Sequence, residues 1–282
     1  MVGPRTGRFF DNDDSGSSTS GGSRGGADSD FERERGSLVI RDLPGGSPAF
    51  TFLGTMMIML GWFFFNGSSV IFKGNVGDGR LRFGAAKVVT NTLLAMVASC
   101  CSRVGYRALA HGNTHDFGDV LNCVLGGAVA ITAPCAFVDS WSAIVIGVMA
   151  GTLTPNSCTW VKSFKIDDPM DAVSVHFSNG ILGLLVTGIF ADSHPSEPLS
   201  WPAARGIWYE GNKIASWRFL GVQLLGAVFI IAFSGSVTWL TLKIFHLVQT
   251  MRMDEIDRDA GINCLRVRQE EVSRLYTHGC DL

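Results

Sequence analysis

One histidine, His176, lies inside an apolar stretch that runs from Ala172 to Ala191, just after the acidic turn Asp167-Asp168-Pro169-Met170-Asp171. A neutral imidazole offers one N–H donor and one nitrogen acceptor, which suits holding a small polar solute or relaying a proton. At membrane depth an ionisable side chain is costly and usually faces a bundle interior or a solute path; the structural alternative is a histidine satisfied between two helices. Asp168-Pro169 followed by Asp171 reads as a helix start, with carboxylates near the positive end of the helix dipole and proline tolerated in the first turn. His111 and His115 have i, i+4 spacing but sit in a Gly- and Asn-rich stretch, so no metal site is expected there. The chain lacks H-E-x-x-H, G-x-S-x-G and any P-loop, which argues against an enzyme.

The elements that position His176 follow from composition. Of 282 residues, 46% are hydrophobic and 17% charged, mean hydropathy is +0.25, and the charges gather at the ends and between apolar blocks. This pattern is that of an all-α, multi-pass membrane protein surrounded by lipid. A formal net charge of −2 with no basic stripe excludes nucleic acid as a partner, because phosphate-backbone binding needs clustered positive charge. The seven cysteines form no C-x-x-C pair and read as small hydrophobes, and neither a metal nor a cofactor is expected.

Residues 1–46 are rich in Gly, Ser, Asp and Arg and are expected to be disordered. Their opening lacks a basic stretch followed at once by an apolar one, so no cleaved signal peptide is expected. A membrane domain over 47–248 follows. Six spans are expected near 48–72, 84–102, 118–137, 141–161, 171–191 and 219–247, against a need for roughly 20 apolar residues per crossing. The segment from Asp192 to Arg218 carries Pro195, Pro198, Pro202 and the tryptophans Trp201, Trp208 and Trp217, suited to the headgroup level. Residues 249–282 form a charged tail. With both ends inside, most basic residues fall on the inner side, and only Lys73, Arg80, Arg82, Arg205, Lys213 and Arg218 fall outside, so cytoplasmic termini are expected. Glycines such as Gly126, Gly127, Gly147, Gly151, Gly180, Gly183, Gly188, Gly221 and Gly226 predict close helix packing. Asn66-Gly67-Ser68 matches a glycosylation sequon, but at the end of a span modification is not expected.

Two more blocks join the histidine motif: Gly61-Trp-Phe-Phe-Phe-Asn-Gly-Ser-Ser69, and Ala128-Val-Ala-Ile-Thr-Ala-Pro-Cys-Ala-Phe-Val138. With Lys165-Ile-Asp-Asp-Pro-Met-Asp171 and Val175-His176, in this order and spacing, the chain resembles the ammonium transporter family (Amt/Mep, related to the Rh proteins) from about residue 44 to about 263. The Asp-Asp-Pro and Gly-Trp-Phe-x-Phe-Asn blocks make the resemblance Amt-like.

The resemblance implies a trimeric channel for ammonium or ammonia, each subunit built from two inverted five-helix repeats plus a long final helix. It places His176 as the second of two pore histidines, Phe65 at the outer closure of the pore, and Ser69 in the outer vestibule that recruits ammonium. Asp171 would cap the histidine helix from the inner side, with Asp168 beside it. Arg252 to Asn263, with Gly261 at the family's glycine, resembles the tail that couples subunits. Phe177 stands where many relatives have glycine, and Asn263 where an aspartate is common. On this resemblance the chain corresponds to the second repeat and final helix, and the first repeat, with the partner histidine, has no counterpart upstream of Ala49. Two functions compete: ammonium transport by an incomplete (truncated or split) family member in the plasma membrane, and a non-conducting subunit that binds or regulates a full-length relative as a homo- or hetero-trimer.

Overall fold

A computed structural model describes residues 9–11, 38–40, 47–69, 79–110, 117–192, 205–209 and 213–248. Within the segment expected to be disordered, β1 (Phe9–Asp11) and β2 (Leu38–Ile40) pair antiparallel, with Phe9 opposite Ile40. These are two of the few apolar patches among residues 1–46, which is where a short ladder can form. The rest of that segment, and residues 249–282, lie outside the described residues.

The membrane part is helical. α1 (Pro48–Ser68) starts with proline in its first turn, where the missing N–H costs nothing. α2 (Gly79–Ala110), α3 (Phe117–Thr132) and α4 (Ser140–Ser163) follow. A π-helical turn (Val173–Ser178) then runs directly into α5 (Asn179–Phe190), and α6 (Lys213–Val248) comes last. Five helices are long and apolar enough to cross a membrane: Pro48–Ser68, Gly84–Leu109, Ser140–Ser163, Val173–Phe190 and Ile214–Leu247.

α3 corrects the expected span over 118–137. At 16 residues it rises only about 24 Å against a hydrocarbon core of about 30 Å. The chain leaves the helix at Ala133 and turns around the buried Pro134, which cannot donate to the helical ladder. Irregular backbone at this depth survives only where protein satisfies it. Here the buried Asn91 of α2 donates through Nδ2 to the carbonyls of Cys135 and Val138, both at 2.9 Å. Pro155 inside α4 poses a similar problem, since its ring displaces the Gly151 carbonyl from helical bonding. The Cys123 thiol of α3 donates to that carbonyl at 3.8 Å, so this cysteine acts as a weak donor as well as a small hydrophobe.

α2 packs against both α3 and α4 at the centre of the bundle. A Cβ on Gly127 would lie 2.7 Å from the Ala95 carbonyl oxygen, and one on Gly147 would lie 2.4 Å from the same oxygen. Glycine on α3 and α4 therefore lets both helices touch one turn of α2 at backbone distance. Val88, Ile131, Val138, Ile146 and Val186 fill the core around this crossing. Where the sequence groups Gly180, Gly221 and Gly226 with the packing glycines, all three face open space instead.

The C-terminal part of α2 and the start of α3 are joined by charge. Asp119, in the first turn of α3, accepts from Arg103 Nε at 2.7 Å, from the terminal nitrogen of the same guanidinium, and from Arg107 at 3.3 Å. At the opposite end, residues 205–209 dock back onto α5. Gly206, Ile207 and Trp208 donate their backbone N–H groups to the carbonyls of Ala191, Gly188 and Ile189, which the helix itself leaves unpaired. Tyr209 then donates its hydroxyl to Asp139 at 2.8 Å, tying this strap to the start of α4. Trp208, 65% exposed, packs beside Trp141 and Phe190, an aromatic group of the kind that sits at headgroup level.

The chain divides into two units, one over Pro4–Ile230 and one formed by Met1–Gly3 with Ile231–Leu282. The helix packing and side-chain contacts described above all lie in the first. In the second, the described residues are the remainder of α6, an apolar helix that exposes Phe233, Val237, Leu240 and Ile244. A helix apolar on all sides and exposed is suited to lipid or to another helix, not to water.

Candidate functional site

The site grows out of the turn between α4 and the π segment. α4 ends in a Schellman arrangement in which Lys165 N–H bonds to Lys162 O at 3.0 Å and Ile166 N–H to Val161 O at 3.3 Å. Lys165 occupies the left-handed region (φ 57), a place usually given to glycine. Asp171 is also left-handed (φ 51), which short polar side chains tolerate best.

The carboxylate that closes the start of the histidine helix is that of Asp168, whose Oδ2 accepts from Val173 N–H at 2.7 Å. Asp171, the residue that the sequence resemblance assigns to the cap, instead contributes its backbone carbonyl to Val175 N–H at 2.8 Å. Its side chain turns to α3, where Asn122 Nδ2 donates to Oδ2 at 2.9 Å. The physical reason for the exchange is the left-handed backbone at Asp171, which redirects its side chain away from the first turn. Burial pushes the Asp171 carboxyl above the usual carboxylate range, with Asp168 adding to the rise and Lys162 opposing it.

The sequence predicts a regular helix through His176; the chain forms a π turn over Val173–Ser178 instead. Such wide turns occur mostly inside α-helices and often at functional positions. His176 lies on this turn with its side chain exposed on the described surface. Its ring stacks on the Trp62 indole of α1, with centroids 6.3 Å apart and planes 17° apart. Trp62 is held in turn by its Nε1–H bond to Thr132 Oγ1 at 2.8 Å, at the end of α3. Thr132 donates to Ala128 O at 2.7 Å, so its hydroxyl is free to accept the indole. Phe65 is one helical turn from Trp62, with ring centroids 6.3 Å apart, and is 64% exposed.

Phe65, Trp62 and His176 thus form a row of rings in which Trp62 is the link. Trp62 is absent from the sequence-predicted site, although two signals pointed to it: its place in the Gly61-Trp-Phe block and its i, i+3 relation to Phe65. Ser69 does not join the row through its hydroxyl, which donates to its own helix at Asn66 O, 2.6 Å away. Asn66 is 1% exposed and donates to Thr92 Oγ1 at 3.0 Å, pinning α1 to α2 and leaving no room for a glycan. Arg252 and Gly261 lie outside the described residues, as do His111 and His115. Among the described residues, no group of three or more His, Cys, Asp or Glu side chains is arranged to hold a metal ion.

A glycine-packed bundle of helices long and apolar enough to cross a membrane is that of an integral membrane protein. A model of the Ammonium Transporter Family matches residues 33–271, and the chain belongs to that family. It is 36% identical over 189 residues to the ammonium transporter Amt2 of Archaeoglobus fulgidus, an alignment covering 67% of this chain and 38% of that protein. It is 29% identical to the putative ammonium transporter 1 of Caenorhabditis elegans, over 99% of this chain and 47% of that protein. Among solved structures, one described as a sensor Amt protein superposes with a TM-score of 0.63 at 27% identity, covering 77% of this chain and 48% of that one. Mep2 of Saccharomyces cerevisiae superposes with a TM-score of 0.61 at 26% identity, covering 74% and 45%. The chain therefore spans less than half the length of these relatives.

Proposed function

We propose that this chain forms one wall of an ammonium-conducting pore, with His176 inside the pore and Phe65 and Ser69 towards its outer mouth, and that a complementary set of helices, of the kind that makes up the other half of its relatives, forms the opposite wall. The observation that carries the reading is the exposed His176 ring stacked on the half-buried Trp62: an imidazole left to lipid is costly, and a second set of helices over this face would enclose it. Ammonium is strongly hydrated, so a dry passage favours a neutral species after proton loss unless acceptors replace its water. The imidazole supplies a donor and an acceptor for that species. Aromatic faces such as Phe65 and Trp62 attract a cation at the mouth by about 0.5–2 kcal/mol. The assembly is a homo- or hetero-trimer in the plasma membrane, with both termini cytoplasmic.

The test is methylammonium uptake in cells that lack their own transporters. The chain co-expressed with the first half of a relative is expected to restore uptake, and His176→Ala to remove it. Absence of uptake even with the complementary half present would leave the second reading, a non-conducting subunit of a full-length relative; co-purification with such a relative in mild detergent supports that subunit role.

A further inference from the structure

The π turn that carries His176 needs something to hold it open, because widening a helical turn displaces its carbonyls from the amide donors that an α-helix would offer. Among the described atoms, Ser178 Oγ reaches the Val173 carbonyl only at 3.5 Å and lies 2.6 Å from Ser157 Oγ, whereas one buried amide reaches two carbonyls of the turn at shorter range. Asn179, 0% exposed, points its Nδ2 at Ser174 O (3.0 Å), Val175 O (3.2 Å) and Thr154 Oγ1 (2.9 Å). Ser174 and Val175 both belong to the π turn, immediately before His176. The Asn179 backbone N–H also bonds to the His176 carbonyl.

The orientation of this amide is fixed by chemistry. The two carbonyls are acceptors, and Thr154 already donates its hydroxyl to Ala150 O at 2.8 Å. All three neighbours therefore call for a donor, and turning the amide round would set oxygen against oxygen. The consequence is that Asn179 Oδ1 is buried with no hydrogen-bond partner. A buried acceptor left unpaired is unfavourable, and an apolar side chain would avoid it. Space for the amide is made by Gly126 of α3, where a Cβ would lie 2.4 Å from Thr154 Oγ1 and 2.9 Å from Asn179 Nδ2.

We propose that Asn179 is a positioning residue for His176: its buried carboxamide holds the carbonyls of Ser174 and Val175 in the wide turn and so sets the rotation of the imidazole onto Trp62. Without that donor the turn closes towards an α-helix, and the residues on it rotate about the helix axis. This inference rests on the proposed pore role only for its functional meaning; the geometry it asserts stands in the chain itself.

The test reads His176 directly. The full chain is purified in detergent, treated with diethyl pyrocarbonate, and modification of His176 is followed by peptide mass spectrometry across a pH series, with thermal stability measured in parallel. Asn179→Leu, which fills the same space without a donor, is expected to raise the His176 modification rate several-fold, because the ring leaves the Trp62 face. Asn179→Ser, whose hydroxyl can still reach back to the Val175 carbonyl, should give an intermediate rate and serves if the leucine variant does not fold. Thr154→Val removes only the outlying partner and is expected to lower stability while leaving His176 reactivity unchanged. Wild-type reactivity in both Asn179 variants, or an equal change in Thr154→Val, overturns the proposal. Failure of methylammonium uptake would weaken the pore reading and leave this result untouched.

Discussion

The Trp62 indole and the His176 imidazole lie almost parallel, 6.3 Å apart, although they come from the first membrane helix and from the π turn before α5. The Thr132 hydroxyl orients the indole from a third element. Aromatic pairs contribute about 0.5–1.5 kcal/mol beyond simple burial, so Trp62→Leu is expected to lower methylammonium uptake by the complemented chain roughly two- to tenfold. Trp62→Phe keeps a ring and should retain more activity than the leucine variant. An uptake rate equal to wild type in Trp62→Leu would remove the indole from the transport reading.

Backbone contact between helices makes a second expectation quantitative. Gly147→Ala forces a methyl against the Ala95 carbonyl and should cost about 1–3 kcal/mol. Gly180→Ala meets no atom within 4 Å and should be neutral or gain up to about 1 kcal/mol from helix propensity. Thermal unfolding of the two variants in the same detergent checks the contrast.

Lys165 carries a left-handed backbone that glycine adopts without steric cost. Lys165→Gly is expected to raise stability by about 0.5–1 kcal/mol, and Lys165→Val to lower it, because β-branching fits that region worst. Unfolding midpoints for the pair decide the matter, with equal values counting against the Schellman geometry.

The raised Asp171 carboxyl sets a pH dependence whose sign is definite. A folded-state pKa above the unfolded one means that the folded chain holds the proton more tightly. The contribution to stability is then fully present below the unfolded carboxylate pKa and is lost as pH rises through the raised folded value. Asp171→Asn should remove that part of the pH profile. It should also keep the fold, since asparagine tolerates the left-handed region and its Oδ1 can still accept from Asn122. Stability measured from about pH 3.5 to 7 in both proteins reads the difference.

Much of the architecture was legible along the chain because lipid imposes length and polarity on each crossing segment separately. Five apolar runs became helices able to cross a membrane. The third run misled over its last residues, since apolar character cannot distinguish helix from the turn at Ala133–Val138, where the carbonyls of Cys135 and Val138 are satisfied from a distant Asn91. Phe65 was visible as an aromatic at a helix end, and Trp62 stood in the same block; its stacking on His176 was not visible, because that contact exists only when α1, α3 and the π turn meet.

What the sequence determined by itself was therefore the set of membrane helices, the position of a histidine within one of them, and the motif order shared with the Ammonium Transporter Family, all properties carried by neighbouring residues. The tertiary structure decided the wide turn under His176, the transfer of the helix cap from Asp171 to Asp168, the bonding of Ser69 to its own helix, and the choice of Gly127 and Gly147 over Gly180 as contact points. Those outcomes depend on donors, carbonyls and ring faces brought together from separate helices, and no local pattern of apolar and polar residues records which of them will meet.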